Sequence, residues 1–262
     1  MSKTVKITLI TGAIILCVGL LTVLTIGFAY GWDITKSQWE SKSYESGENE
    51  QISNIDLSFS AGKLKIEFYD GDTIKVDYAE NKYVTTKFKV TNETLKISST
   101  IRWHLHFLSF NDMPETKVSI PQSMQLGLKL QINAGTVSVG EGTFNDINIE
   151  MSAGTISMSN VTCNKFDLNM SAGMMNISKI VSDSFNADLS AGTLKVTGLK
   201  CDDIDLDLSA GTIKLGIVGK KSDYTIKADV SAGSCNVGNL HGGSKRLSVD
   251  VSAGSVNITF DE

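Results

Sequence analysis

Residues 188–196, Asp-Leu-Ser-Ala-Gly-Thr-Leu-Lys-Val, contain the phrase that decides the fold. Its Ser-Ala-Gly triplet occurs six times after residue 133, and Asn133-Ala134-Gly135 is a softened first copy. The seven glycines are spaced 19, 19, 19, 19, 22 and 21 residues apart. A fixed period of about 20–50 residues is typical of solenoids and repeat arrays. The glycines of the six Ser-Ala-Gly triplets are Gly154, Gly173, Gly192, Gly211, Gly233 and Gly254.

Apolar and polar residues alternate on both sides of each triplet. The positions two and four residues after the glycine are apolar in all seven copies, as is the position three before it from Gly154 onward. A period of two indicates strands with one buried face. The alternation shifts by one residue at the triplet, so the sequence predicts a corner there, and glycine permits the backbone conformation that a corner needs.

Stacking of coils follows from this pattern, because one coil cannot bury its own apolar face. We therefore predict an all-β fold, a β-solenoid with Ser-Ala-Gly corners, whose coils lie about 4.8 Å apart over residues 133–262. A coil of 19 residues is not a multiple of six, which favours a right-handed β-helix-like stack over the left-handed hexapeptide form. Residues 51–132 are predicted as less regular coils of the same structure. The last coil is expected to leave an open edge, with Asp261 and Glu262 opposing association.

The amino-terminal residues 7–32 contain no charged side chain. As a helix they would extend about 39 Å, more than the roughly 30 Å of a bilayer core. Lys3 and Lys6 precede them, so the positive-inside rule places the amino terminus in the cytoplasm and the β domain outside the cell membrane. We predict a cytoplasmic stub and single-pass anchor over 1–32 and a polar tether over 33–50. A cleaved signal peptide, with Gly27 and Ala29 at the cleavage site, is the alternative.

Acidic residues recur four positions before the corner glycine. Asp188, Asp207, Asp229 and Asp250 hold this position, and parity places them on the outer face. Carboxylates stacked about 4.8 Å apart repel one another and attract cations, so one hypothesis is a stripe that binds a cation or a cationic polymer. The alternative is a solvated polar face that keeps the sheet soluble. The calcium-binding phrase Gly-Gly-x-Gly-x-Asp is absent.

An aromatic segment, residues 101–110, contains Trp103, His104, His106 and Phe107. One hypothesis is a loop that binds a partner or contacts a membrane. The alternative is an ordinary strand, with Trp103 and Phe107 inward and both histidines outward. A His-x-His pair without an identifiable third ligand does not predict a metal site.

Chemistry beyond binding has little support in the sequence. The triplet serines are all equivalent, whereas a nucleophile is set apart by an adjacent base, so we predict no catalytic residue, cofactor or metal. Cys163 and Cys201 lie two coils apart, beyond the roughly 7 Å limit for a disulfide, and are predicted as free thiols, as is Cys235, which is expected to be buried. The net charge of −5 excludes a typical nucleic-acid partner, and no small-molecule substrate is identifiable.

The anchor followed by Ser-Ala-Gly-[Thr/Ser]-apolar-x-apolar coils resembles the bacterial putative-adhesin family of β-strand repeat proteins, which includes LiaG-like membrane-anchored proteins of envelope-stress operons. The resemblance covers residues 52–260 and implies a β-solenoid at the cell surface without catalytic residues. We therefore expect a non-catalytic, membrane-anchored binding or scaffold module in the cell envelope, with a cell-wall polymer or another envelope protein as its partner. The alternatives are a polysaccharide-acting β-helix enzyme and a sensor that regulates another membrane protein.

Overall fold

The computed structural model describes residues 38–48, 50–101 and 113–261, which contain nineteen strands and one short 3-10 helix at Lys221–Asp223. The strands are β1 Glu40–Glu45, β2 Asn54–Phe59, β3 Lys63–Tyr69, β4 Lys75–Glu80, β5 Val84–Thr91, β6 Thr94–Ile101, β7 Glu115–Pro121, β8 Leu126–Ile132, β9 Thr136–Val139, β10 Gly142–Met151, β11 Thr155–Thr162, β12 Lys165–Met170, β13 Met174–Val181, β14 Ser184–Leu189, β15 Thr193–Lys200, β16 Asp203–Leu208, β17 Thr212–Val218, β18 Tyr224–Cys235 and β19 Lys245–Asp261. The prediction of an all-β fold is confirmed.

Each regular coil consists of two strands joined at a Ser-Ala-Gly corner. The strands before the corners pair in parallel in the order β8, β10, β12, β14 and β16, and we call them the first sheet. The strands after the corners pair in parallel in the order β9, β11, β13, β15 and β17, the second sheet. Met151, Met170, Leu189 and Leu208 are register partners in turn, as the period predicts. The stack is therefore solenoid-like, and its handedness stays a prediction.

The inward-facing residues of both sheets form one core cluster that runs through the coils. Phe166 and Phe185, on adjacent strands, stack with ring centroids 4.9 Å apart and planes 3° from parallel. Burying one large apolar side chain contributes about 1.5–3 kcal/mol, so the repeated columns supply most of the stabilisation. A single coil could not form this core, because its apolar side chains are covered by the equivalent side chains of the coils on either side.

The corner glycines set the distance between coils. Gly192 has φ +115°, a conformation that L side chains rarely adopt, and Gly173 has φ +113°. The amide of Thr193 donates to the carbonyl oxygen of Gly173 at 2.9 Å. A Cβ at Gly192 would lie closer to that oxygen than van der Waals contact allows. Only glycine therefore allows the backbones of successive corners to approach this closely.

The coil order departs from the sequence order after β17. Strand β19 pairs with β16 and β17 on one side and with β18 on the other, so β18 belongs to the terminal coil. The expectation that the last coil of the sequence leaves an open edge is therefore wrong. The connection after β18 crosses its outer side, where Ile226 and Leu240 exchange backbone hydrogen bonds of 2.8 and 2.9 Å. The sequence could not show this, since β18 and β19 carry the same pattern.

The other end of the stack is closed by antiparallel strands. Strand β2 lies between β6 and β8, and β5 pairs antiparallel with β6, β4 with β7, and β1 with β4. Tyr44 of β1 stacks on Phe88 of β5 at 4.3 Å, and Tyr78 of β4 contacts the same ring at 5.0 Å. Part of the predicted polar tether, residues 40–45, is therefore a sheet strand, because Tyr44 buries its ring against this end.

The predicted anchor over residues 1–32 lies outside the described residues. Across the residues that the structure does describe, no helix is both long enough and apolar enough to cross a bilayer.

Replacing Gly192 by alanine tests the role of the corner. We expect Gly192→Ala to lower the free energy of unfolding by about 2–5 kcal/mol, because the side chain adds both a strained φ and a backbone clash. The matched control is Gly238→Ala, where a Cβ would meet nothing within 4 Å, and its change should stay below about 0.5 kcal/mol. Urea unfolding followed by circular dichroism measures both, and equal losses would contradict the corner model.

Candidate functional site

A continuous row of polar side chains runs along the outer face of the first sheet and its flanking strands. Each member lies four residues before a corner glycine and is the register partner of the next. We call this row the polar ladder. Its members, in spatial order, are Ser58, Gln131, Glu150, Asn169, Asp188, Asp207, Asp250 and Asp229.

One half of the polar ladder is acidic. Asp188, Asp207, Asp250 and Asp229 lie on adjacent strands in this order, with their side chains exposed. Asp250 precedes Asp229 because β19 is inserted before β18. None of the four takes part in an ion pair within the described part of the chain. The acidic half is therefore a run of uncompensated like charges.

The neighbouring columns are compensated. Lys165 contacts Asp167 at 2.8 Å, and Arg246 of β19 donates hydrogen bonds to both Asp203 and Asp205 of β16. This compensation stops one column short of the ladder. Burial, together with the nearby carboxylates of Asp188, Asp250 and Asp205, raises the pKa of Asp207. The inserted strand β19 thus compensates Asp203 and Asp205 of β16 and extends the acidic half of the polar ladder.

The other half of the polar ladder is a relay of hydrogen bonds. Ser58 Oγ donates to Gln131 Oε1 at 2.8 Å, and Gln131 Nε2 donates to Glu150 Oε2 at 2.9 Å. Lys129 Nζ lies 3.1 Å from Glu150 Oε1. The hydrogen bond from Gln131, followed by that from Lys129, lowers the pKa of Glu150. This half is therefore ordered, and its one carboxylate is stabilised in the ionised form.

A groove of about 490 Å³ runs beside this half of the ladder. It crosses strands β6, β2, β8, β10, β12 and β14, which corresponds to about 24 Å at five strand spacings. Hydroxyl, amide and carboxylate groups provide most of its polar lining. These groups belong to ladder members and to the first residues of the triplets, among them Gln131, Asn133, Glu150, Ser152, Asn169, Ser171, Asp188 and Ser190. Such a groove suits an extended polar ligand better than a compact one.

The aromatic residues singled out in the sequence, Trp103, His104, His106 and Phe107, lie outside the described residues. The binding role predicted for this segment stays a prediction.

The cysteines are free thiols, as predicted for Cys163, Cys201 and Cys235. Burial raises the pKa of Cys163 to about 12 and also raises the pKa of Cys201. Cys235 is only half-buried, contrary to expectation, because its strand β18 belongs to the terminal coil. Among the described side chains, no group of three or more His, Cys, Asp or Glu residues is placed to hold a metal ion.

Sequence reasoning did not single out Ser58 or Gln131 as ladder members. The signal was present, because each lies four residues before the glycine of an early corner, Ser60-Ala61-Gly62 or Asn133-Ala134-Gly135. The sequence pattern marks this column by its carboxylates. The neutral side chains of Ser58 and Gln131 do not carry that mark.

The model of the Toastrack DUF4097 family matches residues 52–262. The chain belongs to this family. The match confirms the resemblance to the putative-adhesin family of β-strand repeat proteins. No curated protein matches the chain.

Solved structures similar to this Toastrack chain include two bacterial proteins. One is a "putative cell adhesion protein" from Clostridium sporogenes, 15% identical, with a TM-score of 0.44, covering 86% of this chain and 100% of its own. The other is a "putative adhesin" from Bacteroides fragilis, 13% identical, with a TM-score of 0.46, covering 84% of this chain and 97% of its own.

Asp207 provides a test of the acidic half. Because its pKa is raised in the folded protein, its ionisation costs stability, and this cost appears as the pH rises through the ordinary carboxyl range near about 4. We expect Asp207→Asn to raise the urea midpoint at neutral pH and to have little effect at about pH 3. The control Asp167→Asn removes a carboxylate that Lys165 and Asn186 hold, and should lower the midpoint. A lower midpoint for Asp207→Asn at neutral pH would contradict the repulsion.

Proposed function

We propose that this Toastrack-family chain is a non-catalytic module that binds an extended polar polymer of the cell envelope along the polar ladder. The observation that carries the proposal is the groove across six strands, with polar groups that recur at each strand spacing of about 4.8 Å. Recurrent groups at a regular interval fit a ligand that is itself a repeating chain. A small molecule is more often held in a concave, mostly apolar pocket.

The charges of the polar ladder indicate which class of polymer it could bind. Glu150 at the centre of the groove is held ionised by Gln131 and Lys129, and Asp188 starts the acidic half. Carboxylates accept hydrogen bonds and repel anions, so hydroxyl, amide and ammonium groups are the complementary ligand chemistry. We therefore propose a neutral or amino-bearing cell-wall glycan as the partner, rather than a polyanion.

The carboxylates also favour binding over catalysis. A glycan-cleaving site pairs a carboxylic acid of raised pKa with a second carboxylate across the scissile bond. The pKa of Glu150 is lowered, which makes it a poor general acid, and Lys129 engages its other oxygen. Asp188 is separated from Glu150 by the Asn169 strand, on a regular sheet surface. Within the groove, whose lining includes Glu150 and Asp188 but not Asp207, these observations support a module that holds its ligand without cleaving it.

The location of the module follows from the amino-terminal sequence. Residues 7–32 are uncharged and long enough to span a bilayer, with Lys3 and Lys6 before them. We infer a single-pass cell-membrane protein with a cytoplasmic amino terminus and an extracytoplasmic β domain. In this arrangement the polar ladder lies in the compartment that contains the cell-wall glycans.

Blocking the groove tests the binding proposal. We expect Ser171→Trp to abolish retention of the full-length protein on insoluble peptidoglycan, because its indole fills the groove between two ladder members. Ser157→Trp is the matched control, since Ser157 is an exposed serine of β11 on the second sheet. Co-sedimentation measures both variants, with the circular dichroism spectrum as a check on folding. Equal retention of the two variants would show that the groove does not bind the glycan.

Cell fractionation tests the anchor. We expect the full-length protein to stay with the membrane pellet after carbonate extraction, and external protease to reach the β domain in cells without a wall. Mass spectrometry of the amino terminus distinguishes the anchor from a cleaved signal peptide, because cleavage would leave a mature chain that begins near Tyr30. A chain found in the soluble cytoplasm would contradict the proposed location.

A further inference from the structure

The two sheets carry opposite charge on their outer sides. Strands β8, β10, β12, β14 and β16 of the first sheet contain seven Asp and Glu residues and two lysines. Strands β9, β11, β13, β15 and β17 of the second sheet contain four lysines and neither Asp nor Glu. We call the outer side of these five strands the basic face. Its lysines are Lys179, Lys195, Lys200 and Lys214.

These lysines are exposed, and none takes part in an ion pair within the described residues. The lysines of β3 and β7, which continue the pairing beyond β9, differ, because Lys65 and Lys117 both contact Glu67, at 2.8 and 2.6 Å. Lys195 and Lys214 are register partners on adjacent strands, with like charges held close together. An anion placed across them would relieve this repulsion.

Exposed apolar side chains share the basic face. Met174, Val181 and Val218 are 45%, 44% and 47% exposed, and they are three of the four large apolar side chains exposed in the described part of the chain. Val181 is the register partner of Lys200. Exposed lysines and exposed apolar groups therefore occur together on these strands, and Asp261 of β19 borders them beside Val218.

We propose that the basic face docks on the surface of a bilayer that contains anionic lipids. The lysines match the phosphate headgroups, and the exposed methionine and valines match the boundary with the acyl chains. A soluble polyanion would match the lysines and leave the apolar side chains in water. The docking needs no amino-terminal anchor, and it leaves the polar ladder on the side turned away from the bilayer.

Fluorescence quenching in vesicles tests this orientation. The full-length chain carries Cys17→Ser and Cys235→Ser, while buried Cys163 and Cys201 stay in place. A bimane label is attached through Val218→Cys on the basic face or through Asn169→Cys on the polar ladder. The vesicles contain nitroxide-labelled headgroups in phosphatidylcholine, alone or in equimolar mixture with phosphatidylglycerol. We expect quenching at position 218 in the anionic vesicles alone, and none at position 169.

Charge variants test the source of the attraction. A lysine near an anionic surface strengthens binding by about fivefold, so Lys195→Gln with Lys214→Gln should bring quenching at 218 close to its phosphatidylcholine level. The control is Lys87→Gln with Lys227→Gln, two exposed lysines outside the basic face that give the same net charge. The control should quench as the parent does.

Several outcomes would overturn the proposal. The first is equal quenching at positions 169 and 218. The second is the same quenching at 218 with and without phosphatidylglycerol, and the third is equal quenching at 218 in the two lysine double variants. If soluble polyphosphate changes the label at 218 while anionic vesicles leave it unquenched, the basic face binds a polymer and the lipid proposal is wrong. Carbonate extraction of the same labelled chain reports separately on the anchor, so the failure of one proposal is not mistaken for failure of the other.

Discussion

The close approach of backbones at the glycine corners is the constraint on which the rest of the structure depends. Each interior corner accepts an amide hydrogen bond from the next coil, as Gly173 does from Thr193 at 2.9 Å, and the positive φ of glycine makes this geometry accessible. Because the corners are in register, the columns next to them are in register too, and the pairing shifts only farther out, at Phe144–Ile147 and at Val196–Leu199. The same contact therefore creates the apolar columns of the core and the polar ladder outside it.

Register has opposite consequences inside and outside. Inside, it places Phe166 on Phe185 and gives each coil the apolar cover that it lacks alone. Outside, it places Asp207 between Asp188 and Asp250, and partial burial together with these two carboxylates raises the pKa of Asp207. Exposed charges of this kind cost little stability in water, and the core can tolerate them. A cost present along the acidic half of the polar ladder is consistent with a surface that serves binding.

The repeat predicted the corners, the strand pairs from β8 to β17 and the fact that the four aspartates share one column, because these depend on position within a coil. The repeat did not predict which coil is terminal. By their alternation of apolar and polar residues, β18 and β19 are equally suitable partners for β17. Tyr44 illustrates a second limit: its strand is held by contact with Phe88, and no periodicity marks it. The groove was also missed, because its shape depends on the side-chain volumes of neighbours such as Gln131 and Ser152.

The order of the last two coils has a physical explanation in the residues that it brings together. By register, a coil order that followed the sequence would place Thr225 beside Asp203, where the observed order places Arg246. Arg246 then binds two carboxylates, although an exposed pair contributes only about 0–1 kcal/mol and cannot decide the order alone. The terminal position also lets Ile226 of β18 pair with Leu240, which covers part of an edge that β19 would leave open. Compensation of charge and protection of the edge thus favour the same arrangement.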